Sequence, residues 1–174
     1  MNGPASEDRV AELREAFDLS FSRTPAVHAE AAERLLTMRI GGERYALRLN
    51  SVSGLVAGKR ISWVPSPVPE LLGIAGFRGT VRPVYDLAML LGHPRASAPR
   101  WIVLTEPELI GLAFEGFDGF VSVSPQSAMT RVRDGSGASR LHVNVFMESD
   151  GTYPIVDITS VITSIARKTA DSGT

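Results

Sequence analysis

Hydrophobic and polar residues alternate with a period of two along most of this chain, and this alternation predicts a protein built mainly of β-strands. Residues 35–40 alternate first, and residues 45–49 resume the same pattern after Gly41-Gly42. Two glycines between alternating runs predict a β-hairpin with a two-residue turn. Further short strands are predicted over 101–105, 109–114, 117–123, 141–147 and 153–156, with Asp150-Gly151 as another hairpin turn.

The stretch from Leu71 to Leu91 has the clearest local pattern in the chain. Apolar residues up to Phe77 predict a strand, Arg78-Gly79 predicts a turn, and the apolar residues that follow predict a second strand. Asp86 then stands immediately before leucines at helical spacing, where an N-cap residue belongs. The stretch therefore predicts a strand, a tight turn, a strand and a capped short helix.

Three glycines and one arginine stand out within this stretch. Gly73, Gly76 and Gly79 fall within seven residues, and glycine inside a strand usually marks positive φ or a close backbone approach. Arg78 is a single charged side chain in the middle of an apolar segment. It is either a buried structural ion pair or a binding group presented to a partner.

The chain contains an internal repeat. PVYDLAMLL, residues 83–91, matches PIVDITSVI, residues 154–162, so Asp157 corresponds to Asp86 as a helix cap. Residues 45–56 resemble residues 110–121 more weakly. The repeat predicts two similar β units of about five short strands each, over 34–92 and 100–168. Units this small are marginal alone, so we expect a shared core with a groove between them.

The N-terminal segment has a different pattern. Val10, Leu13, Phe17 and Phe21 recur at helical spacing, which predicts an amphipathic helix over 6–21. Its apolar stripe either docks on the body of the domain or binds a partner. Residues 1–33 are therefore assigned to a helix and linker, and residues 169–174 to a polar tail.

Composition narrows the function. The 174 residues carry a net charge of −1, so the chain lacks the excess of positive charge that binds the phosphate backbone of nucleic acids. The absence of cysteine excludes disulfides and thiolate zinc sites. We expect no signal peptide, no membrane-spanning segment and a cytoplasmic location. His28, His93 and His142 have no metal-ligand spacing, and no nucleophile or phosphate-binding motif is present. The sequence predicts neither an enzyme nor a cofactor.

The segment GIAGFRGTVRPVYDL, residues 73–87, closely resembles the signature of CheW-like chemotaxis coupling proteins. Flanking segments agree: MRIGGERYALRLNSVSGLV resembles the opening hairpin of that family, ISWVPSPVPELLG its proline-bearing approach, and YPIVDITSVI its closing helix. The resemblance covers roughly residues 35–165. It implies a mostly β fold of two intertwined five-stranded SH3-like barrels.

The resemblance also implies a function. Members of this family are non-catalytic adaptors that link the cytoplasmic tips of chemoreceptors to a CheA-type histidine kinase, without nucleic acid or membrane insertion. By position, the implied partner-binding residues are Val52, Gly54, Arg78 and Trp101. The implied scaffold residues are Gly73, Gly76, Gly79, Pro83, Asp86 and Asp157. The location would be the cytoplasm, with recruitment to receptor arrays.

Two positions depart from the family pattern. Family members usually carry Asn at the position of Gly76, and Asn and Gly both tolerate left-handed backbone. Members often carry Glu at the position of Gly54, so an acidic group that contacts a partner would be absent here. A second hypothesis for the chain is a double-barrel module that binds a peptide or small molecule in its groove, without receptors. A deep pocket with convergent polar groups would favour that alternative.

Overall fold

Short strands joined by tight turns pair over long sequence separations to form two five-stranded sheets. The computed structural model describes residues 32–95, 98–106, 108–123, 142–148 and 151–171, with only the backbone of 142–148. The predicted N-terminal helix over 6–21 lies outside these ranges. All the described residues belong to one unit, Ala32–Thr174.

The secondary structure follows the order expected from the alternation. The strands are β1 (Glu33–Ile40), β2 (Glu43–Arg48), β3 (Val52–Ala57), β4 (Leu71–Phe77), β5 (Thr80–Asp86), β6 (Trp101–Thr105), β7 (Gly111–Phe114), β8 (Gly116–Val123), β9 (His142–Glu148) and β10 (Gly151–Val156). A single 3-10 turn, Leu49–Ser51, joins β2 to β3. The helices are α1 (Leu87–Leu90) and α2 (Ile158–Asp171). Because α2 runs to Asp171, the predicted polar tail from residue 169 begins as helix.

Each sheet combines strands from both halves of the chain. Sheet 1 has the order β8-β1-β2-β10-β9, and sheet 2 has the order β3-β6-β7-β5-β4. The pairs β2–β10 and β5–β7 are parallel, and the other ladders are antiparallel. The strand β3 thus joins the sheet of β6 and β7, and β8 joins the sheet of β1 and β2, so each sheet draws on both 34–92 and 100–168.

The internal repeat has a direct structural counterpart. Replacing every strand of sheet 1 by the strand five places further along the chain, counted cyclically over the ten, gives the order of sheet 2. In both repeats the strand with the Pro-x-x-Asp motif, β5 or β10, lies parallel to its inner neighbour and leads into a helix. The predicted similarity of two five-stranded units is thus confirmed as an exchange of strands.

The predicted closure of each unit into an SH3-like barrel is not seen in the strand ladders. Sheet 1 ends at β8 and β9, and sheet 2 ends at β3 and β4, so within the described residues neither sheet closes on itself through hydrogen bonds. Each sheet nevertheless encloses apolar side chains of its own. The cluster within sheet 1 includes Leu35 and Ile155, and the cluster within sheet 2 includes Phe77 and Val84.

The largest core cluster is shared between the sheets and both helices. It contains buried residues from every layer: Leu36, Met38, Ile40, Leu47, Leu87, Leu90, Val103, Leu112, Phe114, Ile158, Val161 and Ile165. Two units of this size each lack the surface to bury a sufficient core, so sharing one offsets the entropy of folding. In the last turn of α2, Lys168 forms an ion pair with Glu70, which is only 5% exposed. Neither helix in the described part is long and apolar enough to cross a membrane.

Candidate functional site

Arg78 and Gly79 form the two-residue turn between β4 and β5, closed by the register pair Phe77 and Thr80. Their φ angles are 47° and 83°, as a type I′ turn requires at both central positions. Among the described residues Arg78 is the one non-glycine with positive φ. Such a conformation costs of order 1–3 kcal/mol and tends to occur at functional sites.

The side chain of Arg78 is presented to solvent. The residue is exposed, and it makes no ion pair with any other residue that the structure describes. The interpretation as a buried structural ion pair is therefore wrong. A tight turn holds the guanidinium on a rigid base, where it can donate hydrogen bonds to a carboxylate. Its role as a partner contact stays a prediction.

Gly54 and Arg78 lie in the same groove. The groove has a volume of about 360 Å³ and is lined by β3, the β4–β5 turn and neighbouring residues of β5 and β6. Because β3 and β4 are the two edges of sheet 2, the groove occupies the place where the sheet would close. Its charged lining residues are Lys59, Arg78, Arg82 and Glu106, so cations outnumber acids three to one.

Arg82 is the member of the groove that sequence analysis missed. It lies on β5 opposite Ala75, and side chains alternate along a strand, so it shares a face with the fully buried Val84. Its Nε and Nη1 atoms are buried and have no hydrogen-bond partner. The signal was available, because period two places Arg82 at an inward position of the strand.

The other two partner-binding candidates, Val52 and Trp101, are not among the residues that line this groove. Val52, on β3 opposite Thr105, packs in part against the shared core. The ring of Trp101 on β6 lies 5.1 Å from Phe117 on β8, and Phe117 lies 5.2 Å from Phe120. We call these three rings the aromatic row. It joins sheet 2 to sheet 1 and ends at Phe120, which is 54% exposed.

The three glycines of the central stretch serve different purposes. Gly73 has φ 143°, and a Cβ there would lie 2.1 Å from the carbonyl oxygen of Ser62, which pairs with Ile74. Gly79 supplies the second positive φ of the turn. Gly76 is in extended backbone opposite Val81, without positive φ, and a Cβ there would meet nothing within 4 Å. Gly76 therefore shows neither the positive φ nor the close backbone approach that a glycine inside a strand usually marks.

Both repeat aspartates cap helices, as the sequence predicts. The Oδ1 atom of Asp86, which is fully buried, accepts hydrogen bonds from the backbone N–H groups of Ala88 and Met89. Asp157 accepts in the same way from the N–H of Thr159. Pro83 lies opposite Ile74 on β5, one residue before the parallel ladder with β7 begins, where its missing N–H costs least.

The only histidine whose side chain the structure describes has a structural setting. His93 Nε2 lies 2.7 Å from the hydroxyl of Tyr45, which also donates to Glu43, and the ring packs against the turn at Gly41. Burial, helped by Glu43, raises the pKa of Tyr45 well above its ordinary value, and burial also raises the pKa of Tyr85. No group of three metal-ligating side chains occurs among the residues described.

The chain is similar to known proteins of one family. A family profile described as the CheW-like domain matches residues 34–166, well over half of the chain. The chain belongs to the CheW family. Its match to a curated CheW-family protein, the chemotaxis protein CheW of Bacillus subtilis (strain 168), is 24% identical over 89 residues and covers 51% of this chain. The chain spans about half of that relative, 54% of its length.

A solved structure of the CheW family has the same fold. The scaffolding protein TtCheW from Thermoanaerobacter tengcongensis superposes with a TM-score of 0.66 at 17% identity, covering 73% of this chain and 90% of the other. At this identity the similarity concerns the fold alone. It agrees with the mostly β, two-sheet architecture described above.

Proposed function

We propose that this protein is a non-catalytic signalling adaptor that couples chemoreceptor tips to a CheA-type histidine kinase, in chemotaxis or a related two-component pathway. The observation that carries the proposal is the CheW-like domain match over 34–166. Two surfaces of the fold support it as candidate binding surfaces. These surfaces are the groove of sheet 2 and the aromatic row. The adaptor would work in the cytoplasm, recruited to receptor arrays.

The aromatic row supports a protein-binding role. Aromatic side chains are enriched in protein interfaces, and an aromatic cluster that ends in a half-exposed ring provides an apolar anchor. The exposed Arg78 supplies a charged contact on a rigid turn. Each partner surface would bury on the order of 800 Å² per partner, which a domain of this size can provide twice.

The test is recovery of purified partners by the tagged protein. We expect the wild-type chain to recover both a CheA-type kinase and a receptor cytoplasmic fragment. Phe120→Ser should reduce recovery of one partner by about tenfold, the effect of losing one interface anchor. Trp63→Ser is the matched control, because Trp63 is 73% exposed and lies outside both surfaces. Recovery of neither partner by the folded wild type would refute the proposal.

A second candidate, a peptide-binding module without receptors, is favoured by the groove of sheet 2. Its volume of about 360 Å³ falls within the range of ligand pockets, and charged groups converge in it. This candidate predicts that ligand binding depends on the groove and is indifferent to Phe120. The adaptor predicts dependence on the aromatic row as well.

A further inference from the structure

Arg82 is partly buried, and two of its three guanidinium nitrogens are enclosed by the protein. Its Nε and Nη1 atoms have no hydrogen-bond partner, although buried donors in folded proteins are almost always paired. The neighbouring cations Lys59 and Arg78 cannot relieve this, because both side chains are hydrogen-bond donors without an acceptor. Lys59 Nζ lies 5.6 Å from the ring centroid of Phe77, and Arg78 is exposed. Glu106 lines the same groove without forming an ion pair with Arg82 among the described residues. No acidic side chain among the described residues therefore pairs with the buried donors of Arg82.

We propose that this groove binds a glutamate or aspartate side chain from an acidic segment of a partner protein, with Arg82 as the anchoring donor. The planar guanidinium fork matches a carboxylate, and three cations against one acid give the groove the complementary charge. This inference rests on the proposed function, because it adds a specificity to one surface of the adaptor.

The shape of the groove favours a protein segment over a small free anion. Its volume of about 360 Å³ exceeds what one carboxylate fills, so neighbouring atoms of a chain can enter with it. The strand β3, one edge of sheet 2, also contributes the consecutive residues 53–56 to the groove lining. Edge strands carry backbone groups that can pair with an added extended peptide.

Gly54 keeps the groove open. It has no positive φ, and a Cβ there would lie 3.4 Å from Cδ1 of Leu104, an ordinary contact. The backbone therefore tolerates a side chain at position 54. A glutamate at this position would bring a carboxylate of the chain itself into the groove, where it would compete with the carboxylate of a partner.

The probe is a fluorescent hexaglutamate peptide, with hexaglutamine as the uncharged control, measured by anisotropy at low ionic strength. We expect the wild type to bind hexaglutamate and not hexaglutamine. Arg82→Met and Gly54→Glu should each weaken binding by about tenfold, the cost of losing one charge-assisted contact. Gly54→Gln adds no charge to the groove, and Arg34 is exposed on sheet 1. The affinity of Gly54→Gln and of Arg34→Met for hexaglutamate should therefore stay within about twofold of the wild type.

Further measurements distinguish a variant that fails to fold from one that folds and fails to bind. Arg82→Met should melt at or above the wild-type temperature, because it removes unpaired buried donors and keeps the apolar stem. If that variant fails to fold, the Nε–H resonance of Arg82 in the wild type replaces it as the readout, and it should shift on addition of hexaglutamate. An unshifted resonance would overturn the proposal.

The remaining outcomes are also decisive. Unchanged affinity in Arg82→Met, or equal losses in Arg82→Met and Arg34→Met, would overturn the anchoring role. Displacement of hexaglutamate by inorganic phosphate at equal concentration would show a small-anion site and overturn the protein segment. If the kinase and receptor are still recovered while hexaglutamate does not bind, the acidic-segment site fails and the adaptor stands. Binding of hexaglutamate without recovery of either partner would support the acidic-segment site and overturn the adaptor.

Discussion

Replacing Arg78 with asparagine should make the protein more stable and less able to bind its partner. Arg78 has φ 47° in a type I′ turn, where asparagine and glycine are preferred. A non-glycine residue in this region costs of order 1–3 kcal/mol, and asparagine avoids part of it, so we expect a gain of about 0.5–1 kcal/mol. For a chain of this size, that corresponds to a rise in Tm of about 1–4 °C.

The magnitude depends on the side chain having no internal partner. Arg78 is exposed and makes no ion pair within the described part of the chain, so its removal forfeits no ion pair among those residues. Arg78→Ala keeps the strain and removes the guanidinium, so its Tm should match the wild type. Both variants should recover less of the receptor fragment or of the kinase.

Thermal melting and urea titration measure the stability change, and recovery of purified partners measures binding. A loss of stability larger than about 1 kcal/mol in either variant would mean that the guanidinium supports the fold. Wild-type recovery by a folded Arg78→Asn variant would mean that this residue does not contact a partner. In Arg78→Asn, only a gain in stability together with a loss of binding agrees with a presented group held under strain.

Three further predictions concern the scaffold. Gly73→Ala should lower the free energy of unfolding by about 3 kcal/mol, because of the positive φ and the lost backbone pairing. Gly76→Ala should leave that free energy unchanged or raise it by up to about 1 kcal/mol. Equal urea midpoints for the two variants would contradict this prediction. Lys168→Met should lower the free energy of unfolding, measured by urea titration, by about 1–3 kcal/mol, because Glu70 would keep a buried, uncompensated charge. The control Lys168→Arg keeps the positive charge and should retain most of the stability. Stability should fall above pH 10, because burial raises the pKa of Tyr45 and the unfolded phenol ionises first; an identical pH slope in Tyr45→Phe would refute the assignment.

The sequence predicts local structure well because local structure has local causes. The turn at Gly41-Gly42, the turn at Arg78-Gly79 and the caps at Asp86 and Asp157 each depend on residues within a few positions of one another. Strand exchange between the two units was not predictable in this way. Whether β3 pairs with β2 or with β6 depends on side-chain packing across the whole domain. The alternation of apolar and polar residues along β3 would be the same for either pairing.

The candidate site also combines features with local causes and features that depend on tertiary contacts. Arg78 could be singled out because glycines and a turn pattern surround it in sequence. Arg82 and Phe117 could not be assigned to a surface, because their neighbours come from other strands. Gly73 and Gly76 look equivalent in the sequence, yet only Gly73 faces the backbone of a distant segment, at Ser62. Such a contact is defined by tertiary approach.

The proposed adaptor function requires that the two candidate surfaces do not obstruct each other. Both involve β6, and side chains alternate between the faces of a strand. Trp101 and Val103 pack toward the shared core, whereas Ile102 and Leu104 pack into the cluster within sheet 2, with Leu104 lining the groove. The aromatic row and the groove therefore lie on opposite faces of sheet 2. A partner on one face leaves the other accessible, which is the geometry that an adaptor needs.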